Sequence, residues 1–467
     1  MPELSSSALN HPKTDTIPFG ITLTTQAEID AFATNYPGCT SLDVNLRLVG
    51  SGINNLAGLS QIKSIDGQFA LIQTSVVTME GLNTINFFGS NSRLTIASNS
   101  SLNTLSDFTG SINTGEYSGI TIQNNPNLIS LNGLSGITSS NSLWVNNNDS
   151  LTNLNGVENM SISGNILAIE RNDMLTDITA LSGNLGQFDQ IQIKENPLLS
   201  SLSGIEGVNL IASDASGLSI GGNALSNLDL LSTITNAPDN LFISCPNITN
   251  VLGLSNMQGE LEILLIQNNS LITNFTGLEG ITGIKQELRI INNNSLQSFS
   301  GIENVQNSNV TVPSLLALIT NNPQLTDISS ISNIEINSLS FILLENNPLL
   351  ATCSNTLICN AIDLGNIGLN SNASGCNTIP EVEKECVLNS SQNNLLEEVV
   401  IYPNPVTNTL ILNYPNENIE ASIFSFNGKL ILKSSSKLID VSNLSSGIYF
   451  LKLESEEAIS ISKFIKA

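Results

Sequence analysis

The chain has 467 residues, enough for a sizeable core and for about two to four domains. Forty Asp and Glu against 15 Lys and Arg give a formal charge of −25, which argues against nucleic-acid phosphate and anionic lipid as partners. A single His removes most His-based catalysis and multi-His metal sites, no run of 18 apolar residues spans a bilayer, and 12% charged against 40% hydrophobic residues is not the make-up of a disordered acidic chain.

Residues 1–19, which hold that His as His11, are polar and unpatterned and read as a disordered lead. Residues 20–45 form an N-terminal segment, Leu23-Thr-Thr-Gln-Ala-Glu-Ile-Asp-Ala-Phe32 followed by Tyr36-Pro-Gly-Cys-Thr-Ser-Leu42. Thr25 with Glu28 is a capping box for a short helix. That helix would close the open apolar end of the region behind it, with Cys39 just after.

Residues 46–350 carry a repeat. Ile120-Thr-Ile-Gln-Asn-Asn-Pro-Asn-Leu-Ile-Ser-Leu-Asn-Gly-Leu134 returns as Leu143-Trp-Val-Asn-Asn-Asn-Asp-Ser-Leu-Thr-Asn-Leu-Asn-Gly-Val157, and again from Ile191 and from Leu288. The pattern is aliphatic-x-aliphatic, Asn three later, then apolar residues three and six beyond the Asn, often closed by Gly and an aliphatic. The register residues are Asn99, Asn125, Asn148, Asn172, Asn196, Asn223, Asn269, Asn293, Asn322 and Asn347; between Asn223 and Asn269 one copy puts Pro246 in that place. Steps of about 24 residues are those of solenoid coils. Aliphatic-x-aliphatic is a short strand with one face inward, the Asn turns the chain, and Gly makes a second corner. No coil buries its apolar row alone, so coils stack. Stacked Asn amides then satisfy backbone groups at each turn, which accounts for the roughly 65 Asn in the chain.

After Asn347 the repeat stops and residues 351–386 gather Cys353, Cys359, Cys376 and Cys386. Four Cys directly after a solenoid read as a disulfide-stapled cap with three connectivities open. A zinc site is the weaker reading, with no Cys-x-x-Cys spacing and no His nearby. Cys245 lies within a coil and reads as a buried free thiol. Residues 387–397 are polar, without periodicity, and read as a linker. Residues 398–467 alternate as strands, with a hairpin turn at Asn427-Gly428, and read as a small β-sandwich.

The repeat, with the helix-bearing start, resembles the receptor L-domain family of leucine-rich-repeat-like coils, and is closest to the tandem form in surface proteins of Bacteroidota. The fold expected is therefore all-β: a right-handed parallel β-solenoid of L-domain-like coils followed by the sandwich. By analogy with leucine-rich-repeat caps, Cys353 would pair with Cys376 and Cys359 with Cys386. The C-terminal segment closely resembles the type A sorting domain of the type IX secretion system. The residues that carry this are Tyr402-Pro403-Asn404-Pro405, Gly428-Lys429 after Asn427, Gly447-Ile-Tyr449, and Lys463-Phe-Ile-Lys466. The resemblance implies export to the cell surface or outside, with the type IX machinery as partner of residues 398–467. Such proteins need a Sec signal peptide, and residues 1–20 lack a basic start and an apolar core. The start would then be misassigned or the leader trimmed.

Within the repeat, catalysis that depends on His is excluded, and no phosphate loop occurs. Composition leaves a carboxylate pair open. Asp149, Asp173, Glu170 and Glu195 fall near consecutive Asn turns, where solvated charge is the expected reading. A calcium stripe is not expected without an Asp-rich nonapeptide. No cofactor and no metal site is expected. In each strand the middle residue faces out, giving Thr95, Thr121, Trp144, Ala168, Gln192, Ser219, Phe242, Leu265 and Arg289 up the stack. Trp144, Gln192, Phe242, Leu265 and Arg289 are the candidate contact residues, aromatic and Arg side chains being favoured at interfaces. A non-enzymatic recognition or adhesion protein binding protein or glycan through this face is the leading expectation. A structural or biofilm spacer is second, and an exported carboxylate-dependent glycan hydrolase third.

Overall fold

A computed structural model describes residues 20–467 except 83–84, 109–110, 113–118, 213–214, 307–314, 394–399, 414–419, 426–428 and 455–458. The disordered lead expected for residues 1–19, and the turn at Asn427 and Gly428, lie outside the described residues. The chain divides into two compact units, residues 1–379 and 380–467.

The first unit is a parallel β-solenoid. Its main row of strands starts at Ile21–Leu23, paired in parallel with Leu46–Val49, and ends at Ile367–Asn370, paired with Phe341–Glu345. The sheet thus reaches one strand beyond the sequence repeat at each end: the last coil keeps the step, with Asn372 three residues after Leu369, while the first has Gln26 in that place. Pairing is in residue-for-residue register: Leu143, Trp144 and Val145 face Leu167, Ala168 and Ile169, which face Ile191, Gln192 and Ile193. The aliphatic pair of the inner strands points inward and is fully buried, as with Leu143 and Val145. Each such side chain contributes about 1.5–3 kcal/mol by leaving water. Some strands, such as Ser161–Glu170 and Leu185–Lys194, begin early and form a second short parallel row before a bulge. Short 3-10 turns such as Asn132–Leu134 close the coil. The corner glycine is there for room: a Cβ on Gly133 would lie 1.7 Å from the Leu105 carbonyl oxygen of the previous coil.

The Asn column runs through this unit as a hydrogen-bonded ladder, interrupted once at Cys245. Asn125 Nδ2 donates to the Ile96 carbonyl at 3.0 Å and to Asn148 Oδ1 at 3.1 Å, while Asn125 Oδ1 accepts the Asn99 N–H at 3.0 Å. The same set recurs up the stack, and the ten predicted ladder residues are at most 2% exposed. Thr74 starts the ladder, donating its N–H and hydroxyl to Asn99 Oδ1. Beyond Asn347 it continues to Asn372, whose N–H is taken by Asn377 Oδ1.

Two details correct the sequence reading. The ladder Asn does not itself turn the chain. The residue before it does, with positive φ at Asn124, Asn147, Arg171, Glu195, Asn268, Asn292, Asn321 and Asn346. Asn tolerates that left-handed region better than most residues, which is why Asn-Asn recurs: the first adopts the angle and the second fills the core. Outer amides of neighbouring Asn also bond, as Asn147 Nδ2 does to Asn124 Oδ1 at 2.8 Å and Asn292 Nδ2 to Asn268 Oδ1 at 3.1 Å. The second correction concerns Pro246. That turn is one residue shorter, without a left-handed residue, so Cys245 occupies the ladder position. Its N–H goes to Asn269 Oδ1 at 2.7 Å and its thiol to the Ile220 carbonyl at 3.6 Å. Cys245 is free and buried, and burial pushes its thiol pKa up to about 12.

At the start, helix α1 (Gln26–Asp30) carries the predicted capping box of Thr25 and Glu28. It buries Ile29, and α2 (Phe32–Asn35) buries Phe32. At the other end, α3 (Thr356–Asp363) is N-capped by Asn355 and buries Leu357, Ile358 and Ala361. Cys353 is bonded to Cys376. Cys359 and Cys386 are also disulfide-bonded, and Cys39, like Cys245, is buried outside the disulfides.

In the second unit, α4 (Ile379–Asn393) carries its helix into the stretch expected as linker. Polar residues mask a helix when too few apolar positions mark its period. An antiparallel sheet of Val400–Tyr402, Thr409–Asn413 and Leu438–Asp440 and a second of Leu430–Ser434, Glu420–Ser425, Gly447–Glu454 and Ile459–Lys466 share one core. Leu410, Leu412 and Ile439 meet Ala421, Ile423, Leu451, Leu453 and Phe464 there, which makes the sandwich expected from the alternation.

Candidate functional site

The single-residue register of the coils places the outward middle residues in one file. Thr95, Thr121, Trp144, Ala168, Gln192, Ser219, Phe242, Leu265 and Arg289 are successive partners, about 4.8 Å apart. Trp144 is 38% exposed, while Gln192, Phe242, Leu265 and Arg289 are half-buried. Ala168 departs from the outward reading: it is 1% exposed, a small side chain in register between Trp144 and Gln192. Beyond Arg289 the file continues through Leu318 and Leu343. Arg289 donates to Glu287 at 2.7 Å.

Two of the candidates line one groove. Gln192 and Phe242 flank the coil that carries Gly217-Leu-Ser-Ile-Gly221, and the concavity between them holds about 240 Å³. One wall is Gln190, Gln192 and Lys194, and the other is Asn240 and Phe242. The first wall is fixed internally: Gln192 Nε2 donates to Gln190 Oε1 at 2.9 Å, and Lys194 Nζ donates to Gln192 Oε1 at 3.0 Å. Lys194 Nζ also pairs with Glu170 at 3.0 Å. Trp144 stands two strands from Gln192, and Leu265 and Arg289 lie beyond Phe242, outside the groove lining. The sequence reading missed Gln190, Lys194 and Asn240. The signal was present in Gly217-Leu-Ser-Ile-Gly221, whose outward positions are all small.

The four carboxylates near the turns do not converge. Glu170 is buried against Lys194 and Asn146, Glu195 pairs with Arg171, and Asp149 and Asp173 are exposed. Among the described residues no group of three or more His, Cys, Asp or Glu is placed to hold a metal.

In the second unit the motif residues from opposite ends of the segment meet. Asn404 Oδ1 accepts the Ile465 N–H at 2.8 Å, and Asn404 Nδ2 donates to the Lys463 carbonyl at 3.3 Å. The Val406 N–H donates to the Ile465 carbonyl at 2.8 Å. The Tyr449 ring stacks on Phe464 with centroids 5.6 Å apart, and its hydroxyl donates to the Ser445 carbonyl. The Tyr-Pro-Asn-Pro start is therefore tied to the Lys-Phe-Ile-Lys end. The family model for the secretion system C-terminal sorting domain matches residues 400–467. This segment is a type IX sorting tail. The sorting domain marks an exported protein, delivered to the cell surface or beyond it, and implies interaction with the type IX machinery. A comparison with curated proteins matches none of them. No helix among the described residues is long and apolar enough to cross a membrane.

Proposed function

We propose that the chain is a non-enzymatic recognition protein, exported by its sorting domain, that binds a protein or glycan through the outward strand face of the solenoid. Its coils are read as those of receptor L-domain-like surface proteins of Bacteroidota. The observation that carries the proposal is the file of outward residues held in exact register, with an exposed Trp144 and a groove between Gln192 and Phe242. Rigid repeat faces of this kind present side chains at fixed spacing, and such concave or flat faces commonly serve as binding surfaces. The hydrolase reading needs two carboxylates facing one cleft, and Glu170 and Glu195 are each already engaged by a cation. The spacer reading is the alternative outcome of the test. The full chain is applied to glycan and protein arrays beside Trp144→Ala. Saturable binding that the substitution weakens supports recognition through this face. Silence on both arrays, with an intact circular dichroism spectrum, replaces it with the spacer.

A further inference from the structure

We propose that the groove over Gly217-Leu-Ser-Ile-Gly221 binds a neutral glycan, with one saccharide unit seated between the amide wall and the ring of Phe242. This rests on the strand-face reading above and narrows it to one groove and one ligand class.

The shape comes from three outward positions. Gly217 and Ser219, both in the lining, and Gly221 on the same face give this strand almost no side chain. Its neighbours on both sides carry long or aromatic ones, at Gln190 and Gln192 and at Asn240 and Phe242. The walls are two strand spacings apart, about 9–10 Å. A volume of about 240 Å³ lies below the usual span of roughly 300–1,000 Å³ for drug-sized ligands, and it suits a small ring unit.

The chemistry selects the ligand. Amide side chains both donate and accept, as sugar hydroxyls do, and the Ser219 hydroxyl on the floor does likewise. The face of a phenyl ring offers apolar surface to the C–H face of a sugar ring. The amide wall is already ordered, because Gln190, Gln192 and Lys194 hold one another in a hydrogen-bonded chain. A ligand therefore loses less affinity to side-chain ordering than it would at a loose surface. Charge excludes an anionic ligand. The one cation in the lining, Lys194, is neutralised by Glu170, and the chain as a whole carries −25. No carboxylate lines the groove, so it holds a sugar without a group to cleave it.

The test uses the full chain and isothermal titration calorimetry. The probes are neutral oligosaccharides of glucose, mannose, xylose and N-acetylglucosamine, with an oligogalacturonate as the anionic comparator. The variants are Ser219→Trp, which fills the groove, Phe242→Ala, Gln192→Ala and Trp144→Ala, each checked for an unchanged melting temperature. The expected result is saturable binding of at least one neutral probe. Binding is lost in Ser219→Trp and at least tenfold weaker in Phe242→Ala, and the oligogalacturonate does not compete. Should Ser219→Trp fail to fold, the two truncations decide in its place. Neutral-probe binding that survives Phe242→Ala and Gln192→Ala unchanged overturns the groove. If that binding falls instead in Trp144→Ala, the broader strand-face reading stands without it. If no neutral probe binds but a protein ligand does, and Trp144→Ala weakens it, the glycan inference is overturned and the face survives. Absence of all binding overturns both.

Discussion

Asn172→Ala isolates one rung of the ladder. The Asn172 side chain is completely buried. Its Nδ2 donates to the Val145 carbonyl at 3.1 Å, the Glu170 carbonyl at 2.9 Å and Asn196 Oδ1 at 3.2 Å. Its Oδ1 accepts the Asn148 N–H at 3.1 Å and Asn148 Nδ2 at 3.3 Å. Truncation strips the Asn148 N–H of this acceptor and the Val145 carbonyl of this donor, both residues being fully buried. Each buried group left unsatisfied costs about 1–3 kcal/mol, so the substitution should destabilise by about 2–6 kcal/mol. The stack can open in parts, which makes a single global unfolding energy incomplete. Urea unfolding is therefore paired with native-state hydrogen exchange read at the Asn148 amide. The control is Asn147→Gly, which removes an exposed amide from a left-handed position that Gly adopts freely. An Asn172→Ala effect within about 0.5 kcal/mol of that control, well below the cost of two unsatisfied groups, would refute the ladder argument.

Asn292 has φ near 57°, so Asn292→Val should cost about 1–2 kcal/mol more than Asn292→Gly; equal unfolding midpoints would sink that. Cys245, with its pKa near 12, should resist alkylation at pH 8 until the protein unfolds, and rapid labelling of the native chain would contradict its burial. Replacing Cys353 and Cys376 together by Ser opens a link between residues 23 apart, worth about 3 kcal/mol by loop entropy. Exchange should rise first in Phe341–Glu345 and Ile367–Asn370, and an even rise along the stack would count against the cap. Glu28 titrates below the usual carboxylate range, chiefly because it accepts the Thr24 N–H, at 2.7 Å. A depressed folded pKa stabilises above the ordinary value near ~4.3 and loses that contribution as pH falls through the folded one. Acidification from pH 5 to 3 should thus loosen the first coil in the native chain and not in Glu28→Gln; identical profiles would refute it.

Much of this fold could be read from residue spacing. The pair Leu143 and Val145, the step to Asn148 and the return at Leu151 and Leu154 each follow from a coil that must bury one apolar row. The sorting motifs were legible because Asn404 and the Lys463-Phe-Ile-Lys466 end are local strings. Spacing could not separate the two roles within Asn-Asn, since one residue type serves both a strained backbone angle and a buried hydrogen-bond network. It also could not see that Cys245 stands where Pro246 was expected, because a turn shortened by one residue shifts the count without changing the pattern around it. The groove was hidden for a different reason. A concavity is a difference between neighbouring coils, and Gly217 and Ser219 become its floor only once Gln192 and Phe242 are known to stand beside them.

Cys245 also divides the solenoid as a material. Rungs such as Asn99 on Asn125 and Asn322 on Asn347 are joined through amides that both donate and accept, whereas a thiol offers one weak donor and little acceptance. The stack is then two zippers meeting at one softer tooth, the residue that directly follows the strand carrying Phe242. Under tension along the stack, separation should begin at that seam. A ligand spanning the groove would sit across the adjoining strands and stiffen the place where the column is weakest.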